Sequence, residues 1–320
     1  MIELMNPYNG RKLMKKDIGY TDDAGNTFLE LNSVLRFVKD DNYTENFGFQ
    51  WNKFAKTQID NQQNAISRIR FFAETEWDNV DLSNQNILEV GSGAGRFSSV
   101  VLNDTKANLY SLDYSNAVEA NYKNNSQHGD RFKLFQASIY EMPFTGGQFD
   151  KVFCLGVLQH TPDFRKSVKC LIDQVKKGGE LVVDFYPIRG WWTKIHAKYI
   201  LRPFTKKMCH EKLLKKIDSN ADWMIKASNF FDKIGVGRIV NRFIPVCGIK
   251  GTLPKNLTKQ ELREWVVLDT FDMFSPEYDN PQKLETVKNW FIEFGMDVTF
   301  AGTVTYGEKF RAVVVRGIKK

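Results

Sequence analysis

An apolar run that leads directly into a glycine-rich turn constrains this chain more than any other feature. Residues 87–97 read ILEVGSGAGRF, with three glycines in five positions, Gly91, Gly93 and Gly95. Glycine adopts backbone conformations that other residues avoid, and it lets a ligand approach the main chain without a Cβ in the way. The pattern therefore predicts a buried strand followed by a turn that either binds a ligand or is only a tight connection.

Strands and helices alternate after this turn. Apolar runs at 107–115, 131–139, 149–157 and 180–186 predict strands, and helical patterns separate them. The alternation indicates a parallel sheet covered by helices on both faces. Such sheets bind ligands beyond the carboxyl ends of their strands, which is where the glycine turn lies.

The remaining segments are assigned around this core. In the long stretch after the fifth strand, Thr258 and Glu261 fit a capping box before a helix. Residues 280–295 predict a helix that begins at Asn280 and ends at Gly295, and two closing strands follow. Thr161 is the predicted cap of the helix before the fifth strand. We expect four regions: an N-terminal segment (1–60), a cofactor-binding core (61–186), a helical insertion that caps the substrate (187–280) and a helix with two strands that complete the core (281–320).

Composition indicates a folded protein of a reducing compartment. The chain has 320 residues, of which 42% are hydrophobic and 26% charged, enough for one large domain or a domain with an insertion. No apolar run reaches the ~18 residues that cross a bilayer, and the N-terminus lacks a signal-peptide core. The four cysteines are widely spaced, which argues against a disulfide framework or a zinc ribbon. We expect a cytoplasmic protein and assign no metal ligand.

Positive charge is concentrated in the insertion. Residues 187–260 carry 16 Lys or Arg against 4 Asp or Glu, whereas the whole chain has a net charge of only +7. Aromatic residues accompany this charge, as in GWWTKIHAKYILRPFTKK at 190–207. Such a segment can contact phosphates, nucleic acid or an anionic membrane surface. A solvated helical face, with Lys stems over apolar surface, is the alternative.

Two acids near the glycine turn restrict its ligand. Glu89 lies two residues before Gly91, and Asp113 ends the second strand. A carboxylate at Asp113 can accept hydrogen bonds from both hydroxyls of a ribose. The glycine spacing is GxGxG, not the GxGxxG of dinucleotide sites, and Glu89 would repel a pyrophosphate. S-adenosylmethionine has a ribose, a sulfonium, an ammonium and no phosphate, so the pattern favours it over NAD.

These motifs resemble those of class I S-adenosylmethionine-dependent methyltransferases over about residues 70–186. LEVGSGAGRF looks like the first motif of that family, LDYS the second, FQASIYEMPF the third and FDKVFCLGVLQHTPD the fourth. The resemblance implies an α/β, Rossmann-like fold with a seven-stranded sheet, mostly parallel with an antiparallel last strand. It also implies an enzyme whose cofactor is S-adenosylmethionine.

The resemblance further implies which residues contact the cofactor. Residues of the first motif are expected at its methionine part and ribose, Asp113 at the ribose, and Tyr114 near the adenine. The family usually has an Asp at the position of Ser138. In this chain the Ser138 hydroxyl or the Ile139 backbone would have to contact the adenine amine instead. The expected cofactor-binding residues are Glu89, Gly91, Ser92, Gly93, Gly95, Asp113, Tyr114, Ser138, Ile139 and Leu155.

The N-terminal segment resembles part of a bacterial, type 11-like subgroup of these methyltransferases. FGFQWNKFAKTQID (47–60) and LDTFDMFSPEYDNPQ (268–282) are similar to segments of that subgroup, whose members often accompany genes for surface glycans or natural products. Some members begin with a zinc ribbon that bears a CPxC knuckle, and here residues 6–9 read NPYN. The resemblance implies a degenerate zinc-ribbon-like module that folds without zinc. A lid over the cofactor, or alternatively a helix packed on the core, is expected from Tyr43, Phe47, Gln50 and Trp51.

The chemistry of a sulfonium methyl donor narrows the candidate catalytic residues. Methyl transfer is an in-line displacement, so the enzyme mainly holds the acceptor behind the methyl group. A hydroxyl or amine acceptor must also lose a proton, and a general base helps. His160 is the candidate base, or alternatively a residue that orients its loop. Tyr278 and Asp279, with Asp269 and Asp272, could bind the acceptor, although Asp279 also fits a turn.

The sequence therefore predicts an S-adenosylmethionine-dependent methyltransferase with a small-molecule, glycan or lipid-linked acceptor. A peripheral contact of the basic insertion with a membrane surface is a further expectation. RNA or DNA methylation through the basic block is the alternative, as is a non-catalytic protein that only binds the cofactor. The basic residues are scattered over several predicted helices, which favours the small or lipid-linked acceptor. The intact Glu89, Gly91, Gly93 and Asp113 argue for catalysis.

Overall fold

The computed structural model describes residues 2–38, 43–61, 64–188, 190–250, 253–254, 257–307 and 310–320. The strands are β1 (Met14–Lys16), β2 (Gly19–Thr21), β3 (Thr27–Leu31), β4 (Val34–Arg36), β5 (Asn86–Val90), β6 (Asn108–Asp113), β7 (Phe132–Gln136), β8 (Phe149–Cys154), β9 (Val175–Phe185), β10 (Met296–Tyr306) and β11 (Phe310–Lys319). The helices are α1 (Glu45–Lys53), α2 (Ile66–Thr75), α3 (Arg96–Asp104), α4 (Val118–Asn125), α5 (Phe164–Gln174), α6 (Ala197–Thr205), α7 (His210–Lys233), α8 (Gly237–Val240), α9 (Lys259–Phe274) and α10 (Leu284–Glu293).

A single mixed sheet organises the molecule. Within the described ranges it has 11 strands in the order β1-β2-β3-β4-β7-β6-β5-β8-β9-β11-β10. Neighbouring strands from β7 to β9 pair in parallel, and β11 lies antiparallel between β9 and β10. The predicted α/β fold and antiparallel last strand are confirmed, but the predicted number of seven strands is wrong. Four N-terminal strands extend the sheet, because β4 pairs in parallel with β7.

Two predicted helix starts also differ from the structure. Asp163, not Thr161, caps α5, because its side chain accepts the N–H of Lys166 at 2.9 Å. The helix predicted from residue 280 begins only at Leu284. Asn280 instead donates its side-chain amide to the carbonyl of Thr161 at 2.9 Å. This hydrogen bond ties the segment before α10 to the loop that carries His160.

Apolar side chains cover both faces of the sheet. Along β8, Val152 and Cys154 belong to one buried cluster, and Phe153 belongs to the other. The first cluster is completed by α5 and α10, and the second by α2 and α3. Burying one such side chain contributes about 1.5–3 kcal/mol. The two layers therefore fix the strands whose carboxyl ends carry the glycine turn.

The segment between β9 and α10 folds as helices with an apolar core of its own. The 24-residue α7 packs on α9 around Leu213, Met224 and Phe271. The predicted capping box at the start of α9 is present, with Thr258 and Glu261 bonded to each other's backbone N–H. Among the described residues, no helix has both the length and the apolar character that a bilayer crossing requires.

The NPYN turn is closed by one buried carboxylate. Asp22 accepts hydrogen bonds from the side-chain amides of Asn6 (2.7 Å), Asn9 (2.8 Å) and Asn26 (2.8 Å). Desolvation opposes its charge, but these hydrogen bonds hold the pKa of Asp22 well below its usual value. The group that links this turn to the β2–β3 hairpin is therefore an ionised carboxylate. The likeness to a zinc ribbon remains a prediction.

Asp22→Ala is expected to destabilise the N-terminal strands, because the buried Asn6 amide and the amides of Asn9 and Asn26 lose their common acceptor. Thermal unfolding and limited proteolysis would show a lower Tm and faster cleavage within residues 2–38. Asp23→Ala is the matched control, since Asp23 pairs with Arg11 only at the exposed surface. Equal behaviour of the two variants would contradict the structural role of Asp22.

Candidate cofactor and acceptor site

A cavity of about 620 Å³ lies at the carboxyl ends of the central strands. Its walls come from the glycine turn, from α1, from the insertion and from the β10–β11 end of the sheet. The position is the one that the order of strands and glycines predicts. The volume is within the range of ligand sites in proteins, ~300–1,000 Å³.

The glycine turn forms one wall of this cavity. Gly91 has φ +83°, and a Cβ there would lie 2.3 Å from a methyl carbon of Val157. Gly93 has φ +53°, and a Cβ there would lie 3.1 Å from Trp51 Nε1. Both positions therefore require glycine. Ser92 lines the cavity as well, whereas Gly95 does not and packs instead against α4.

Glu89 lies behind the turn and not in the cavity wall. Its buried carboxylate accepts hydrogen bonds from the hydroxyls of Ser98 and Ser111. Burial raises the pKa of Glu89 to about 7, although these hydrogen bonds oppose the shift. Glu89, predicted to contact the cofactor, does not line the cavity, and its carboxyl group is bonded to Ser98 and Ser111 beneath the turn. The reason is geometric: successive side chains of β5 point to opposite faces, and Glu89 points towards α3, which carries Ser98.

Asp113 stands at the cavity wall as predicted. One carboxylate oxygen accepts the Gly93 N–H at 2.8 Å, and the other accepts the N–H and hydroxyl of Ser115 at 2.8 and 2.6 Å. Each carboxylate oxygen has two lone pairs, so the oxygen that bonds Gly93 still has one free to accept a ribose hydroxyl. Burial raises the pKa of Asp113, and its three hydrogen bonds oppose that shift.

The expected adenine side of the cavity is aromatic and apolar. Tyr114 lines it, and its ring lies 5.4 Å from the ring of Tyr43. Ile139 and Leu155 line it too. Ser138 does not, because its hydroxyl is turned to the N–H of Tyr140 at 3.2 Å. Of the two residues predicted to contact the adenine amine, only Ile139 lines the cavity.

His160 lines the cavity in a neutral form. Its Nδ1 lies 3.1 Å from the carbonyl oxygen of Tyr278. A carbonyl only accepts, so Nδ1 carries the proton and Nε2 is left as a proton acceptor. Burial lowers the pKa of His160, which keeps the ring uncharged at neutral pH. The rings of Phe47 and Tyr186 pack beside it, at 5.3 and 5.8 Å.

Tyr278 and Asp279 lie behind His160 and outside the cavity wall. Tyr278 contributes its carbonyl oxygen to His160. The buried Asp279 carboxylate pairs with Lys198 at 2.7 Å and with Arg202 at 2.9 Å. The sequence predicted that both residues contact the acceptor, but neither is among the residues that line the cavity. Their turn instead fixes the orientation of the imidazole, because its backbone and carboxylate are held by α6.

The sequence reasoning missed Arg96. Its guanidinium lines the cavity and donates to Gln58 Oε1 at 2.6 Å. Among the described residues, no carboxylate lies within ion-pair distance of it, and its buried Nε has no hydrogen-bond partner there. Burial and the nearby Arg70 lower the pKa of Arg96 to about 10, so it stays charged. The sequence did contain a sign of a special role for Arg96. It is the first residue of α3, where a positive charge is unfavourable because it opposes the helix dipole.

Acidic side chains of α9 also line the cavity, close to Arg96. Asp269 and Asp272 of α9 both line it, as the predicted role in acceptor binding requires. Burial, together with the neighbouring Asp272, raises the pKa of Asp269 to about 7. Gln58 bridges Asp269 and Arg96, because its Nε2 lies 3.3 Å from Asp269 Oδ1 and its Oε1 accepts a hydrogen bond from Arg96. The cavity therefore presents a cation and a pair of acids.

The strands from β5 to β9 lie within a recognised methyltransferase domain. The model of the family described as "Methyltransferase domain" matches residues 88–183, from β5 to β9. The class of enzyme and the cofactor predicted from the sequence are thereby confirmed.

Curated relatives match parts of the chain. A tRNA U34 carboxymethyltransferase from Nautilia profundicola is 30% identical over 132 residues, which covers 37% of this chain and 43% of that protein. A protein of the same name from Sulfurovum sp. is 23% identical over 66% of this chain and 68% of its own length. An uncharacterised protein from Synechococcus sp. is 24% identical over 69% of this chain and 49% of its own. The chain thus spans less than half of the first and third of these relatives.

Solved structures of similar architecture include a magnesium protoporphyrin IX methyltransferase from Synechocystis PCC 6803 with bound SAM. It is 13% identical, covers 87% of this chain and 94% of that chain, and has a TM-score of 0.46. A SAM-dependent methyltransferase from Aquifex aeolicus is 11% identical over 84% of this chain and 98% of its own, with a TM-score of 0.45.

The buried Glu89 is expected to make stability depend on pH. Its pKa in the folded protein, about 7, exceeds its ordinary value of 4.5, so folding favours the protonated form. The stabilisation is complete below about pH 4.5 and is lost as the pH rises through about 7. Relative to Glu89→Gln, the wild-type protein should lose up to about 3 kcal/mol of unfolding free energy over this range.

Urea unfolding at a series of pH values measures this difference. Glu285→Gln is the control, because Glu285 is exposed. If Glu89→Gln and the wild-type protein show the same pH dependence, Glu89 is not held protonated in the folded state.

Proposed function

We propose that the protein transfers the methyl group of S-adenosylmethionine to a nucleophilic atom of an acceptor held in the 620 Å³ cavity. The observation that carries this proposal is the continuity of that cavity. It joins the glycine turn and Asp113 to His160 and the acids of α9. In the transfer the sulfur–methyl bond breaks and a bond from the methyl to the acceptor forms, and S-adenosylhomocysteine is released.

The cofactor would be held by four groups of the cavity. Asp113 would accept a ribose hydroxyl, and Tyr114 and Ile139 would flank the adenine. Arg96 would pair with the methionine carboxylate, because it is a buried cation that otherwise bonds only the neutral Gln58 among the described residues. Bound there, the cofactor supplies an electrophilic methyl group, and the protein's part is to align the acceptor with it.

His160 would receive the proton that the acceptor loses. Its Nε2 is the unprotonated nitrogen, since Nδ1 donates to the Tyr278 carbonyl. The ion pairs of Asp279 with Lys198 and Arg202 would hold this carbonyl in place. Tyr278 and Asp279 are therefore positioning residues in this proposal, and only His160 touches the reacting groups.

A small or lipid-linked acceptor suits the walls of the cavity best. The insertion contributes Thr193, His196, Lys198 and Tyr199, and α1 contributes Phe47 and Trp51, so side chains face the acceptor from both sides. Such walls bury a ligand of limited size and exclude water from it. The acids Asp269 and Asp272 would recognise hydroxyl or amino groups of the acceptor.

A tRNA acceptor is the second candidate. Its support is the name of several relatives, tRNA U34 carboxymethyltransferase, together with the 16 Lys or Arg of residues 187–260. A base of the tRNA would have to leave its stack to enter the cavity. That mode of binding predicts affinity for RNA that falls steeply with salt.

The cofactor assignments predict two different effects on binding. Asp113→Asn should weaken both S-adenosylhomocysteine and methylthioadenosine by about tenfold or more, because both contain the ribose. Arg96→Gln should weaken S-adenosylhomocysteine by a similar factor but leave methylthioadenosine unchanged, since the latter lacks the amino-acid part. Isothermal calorimetry measures both ligands. Arg165→Gln and Asp130→Asn are controls at exposed positions. If Arg96→Gln lowers the affinity for both ligands equally, Arg96 does not pair with the methionine carboxylate.

The acceptor class is tested with a radiolabelled methyl donor. The protein is incubated separately with cell lipids, low-mass metabolites and total RNA, and we expect label in lipids or metabolites. Label in RNA alone would establish the second candidate. If no fraction is labelled although S-adenosylhomocysteine binds, the proposed transfer is contradicted.

With the labelled fraction in hand, His160→Gln should slow transfer by about 10²–10⁴-fold without changing the affinity for S-adenosylhomocysteine. His128→Gln is the control, because His128 does not line the cavity. Unchanged transfer by His160→Gln would mean that the imidazole only orients its loop.

A further inference from the structure

The helix α6 has its charged side chains on the buried face and its large apolar side chains on the exposed face. Its charged side chains face inward, where Lys198 and Arg202 are 12% and 7% exposed and pair with Asp279. Its apolar side chains face outward, where Ile200 is 55% and Phe204 73% exposed. A helix on the surface of a protein in water normally shows the opposite arrangement. The outer face of α6 is therefore suited to an apolar neighbour.

The neighbouring segments continue this surface. Arg242 donates to the carbonyls of Trp192 and Ile195, and the N–H of Ala197 bonds the Arg242 carbonyl at 2.7 Å. These hydrogen bonds join the end of α8 to the segment before α6. Large exposed side chains lie on all three segments. We name as the apolar patch the residues Trp191, Trp192, Ile200, Phe204, Ile239 and Phe243, all of which are exposed.

The charges around the apolar patch are positive. Lys194, Lys207 and Arg238 are exposed on the same three segments or directly beside them. The stretch 187–260 as a whole has four times as many basic as acidic residues. A partner that complements this surface must therefore combine an apolar layer with negative charge.

We infer that the apolar patch docks on the surface of an anionic lipid bilayer. Tryptophan and phenylalanine enter the boundary between headgroups and acyl chains, while Lys and Arg pair with anionic headgroups. RNA would complement the charge but not the exposed Ile200 and Ile239. A second copy of the chain would complement the apolar side chains but would bring two positive surfaces together. A bilayer with anionic lipids satisfies both features.

The docking surface and the cavity share one segment of chain. Trp192 faces outward, whereas Thr193 and His196 line the cavity, as do Lys198 and Tyr199 of α6. Docking would therefore place the insertion wall of the cavity at the headgroup level. This inference goes beyond the proposed function, because the surface would bind lipid whichever acceptor is methylated.

Vesicle flotation of the full chain tests the inference. Vesicles of phosphatidylcholine alone are compared with vesicles that also contain phosphatidylglycerol, at low and raised salt. The wild-type protein should float with the anionic vesicles, and less so at raised salt. Trp191→Ser with Phe204→Ser should reduce this binding by about tenfold or more, because both side chains enter the interface. Lys194→Gln with Lys207→Gln should reduce it at low salt.

Ile69→Ser with Ile292→Ser is the matched control, since both side chains are exposed outside the insertion. Binding of S-adenosylhomocysteine shows that each variant is folded and keeps its cofactor site, so a failure of docking is distinct from a failure of the proposed function. The inference is overturned if the wild-type protein does not bind anionic vesicles, or if the patch and control variants bind alike. It is also overturned if the patch variant instead abolishes a dimer in light scattering or a complex with RNA.

Discussion

The parallel pairing of β5 with β6 is the constraint on which the cofactor site depends. It brings the glycine turn and Asp113 to one edge of the sheet, where the Gly93 N–H donates to the Asp113 carboxylate at 2.8 Å. That hydrogen bond fixes the turn and at the same time orients the carboxylate. The apolar layers on both faces of the sheet hold the two strands in this register.

The acceptor side depends on a different kind of interaction. A buried carboxylate, Asp279, balances two cations of α6, Lys198 and Arg202, and Arg202 also donates to the carbonyls of Pro276 and Tyr278. Removing one partner of such a buried group of charges is costly, because the others are left without compensation. These contacts lie within the insertion, and the Tyr278 carbonyl that they hold joins it to His160 of the core.

Sequence reasoning was most successful where the pattern is local and repeated. The apolar runs of β5, β6, β7 and β8 end in turn residues, and each was predicted as a strand within about three residues of its bounds. The short strands β1 to β4 were missed because they have three to five residues, and β1 and β3 are mostly exposed. β1 to β4 pair with one another in sequence order, and only β4 joins the central sheet, by a long-range pairing with β7 that leaves no periodic signal.

In the site, too, local motifs could be predicted from the sequence, whereas contacts between distant parts of the chain could not. Asp113, Gly91 and Gly93 were found because motif spacing places them at the end of a strand. The location of Glu89 behind the turn follows from the direction of its side chain on β5, which the motif alone does not reveal. Arg96, Gln58 and Asp269 come together from three distant parts of the chain, so only the fold shows that they form one polar wall.

The reverse amphipathicity of α6 has a mechanical consequence. The inner face of this helix holds the carbonyl that orients the imidazole, and its outer face meets the surroundings of the protein. The helix has only nine residues, so its two faces move as one body. A shift of the outer face would therefore also displace the Tyr278 carbonyl that orients the His160 ring.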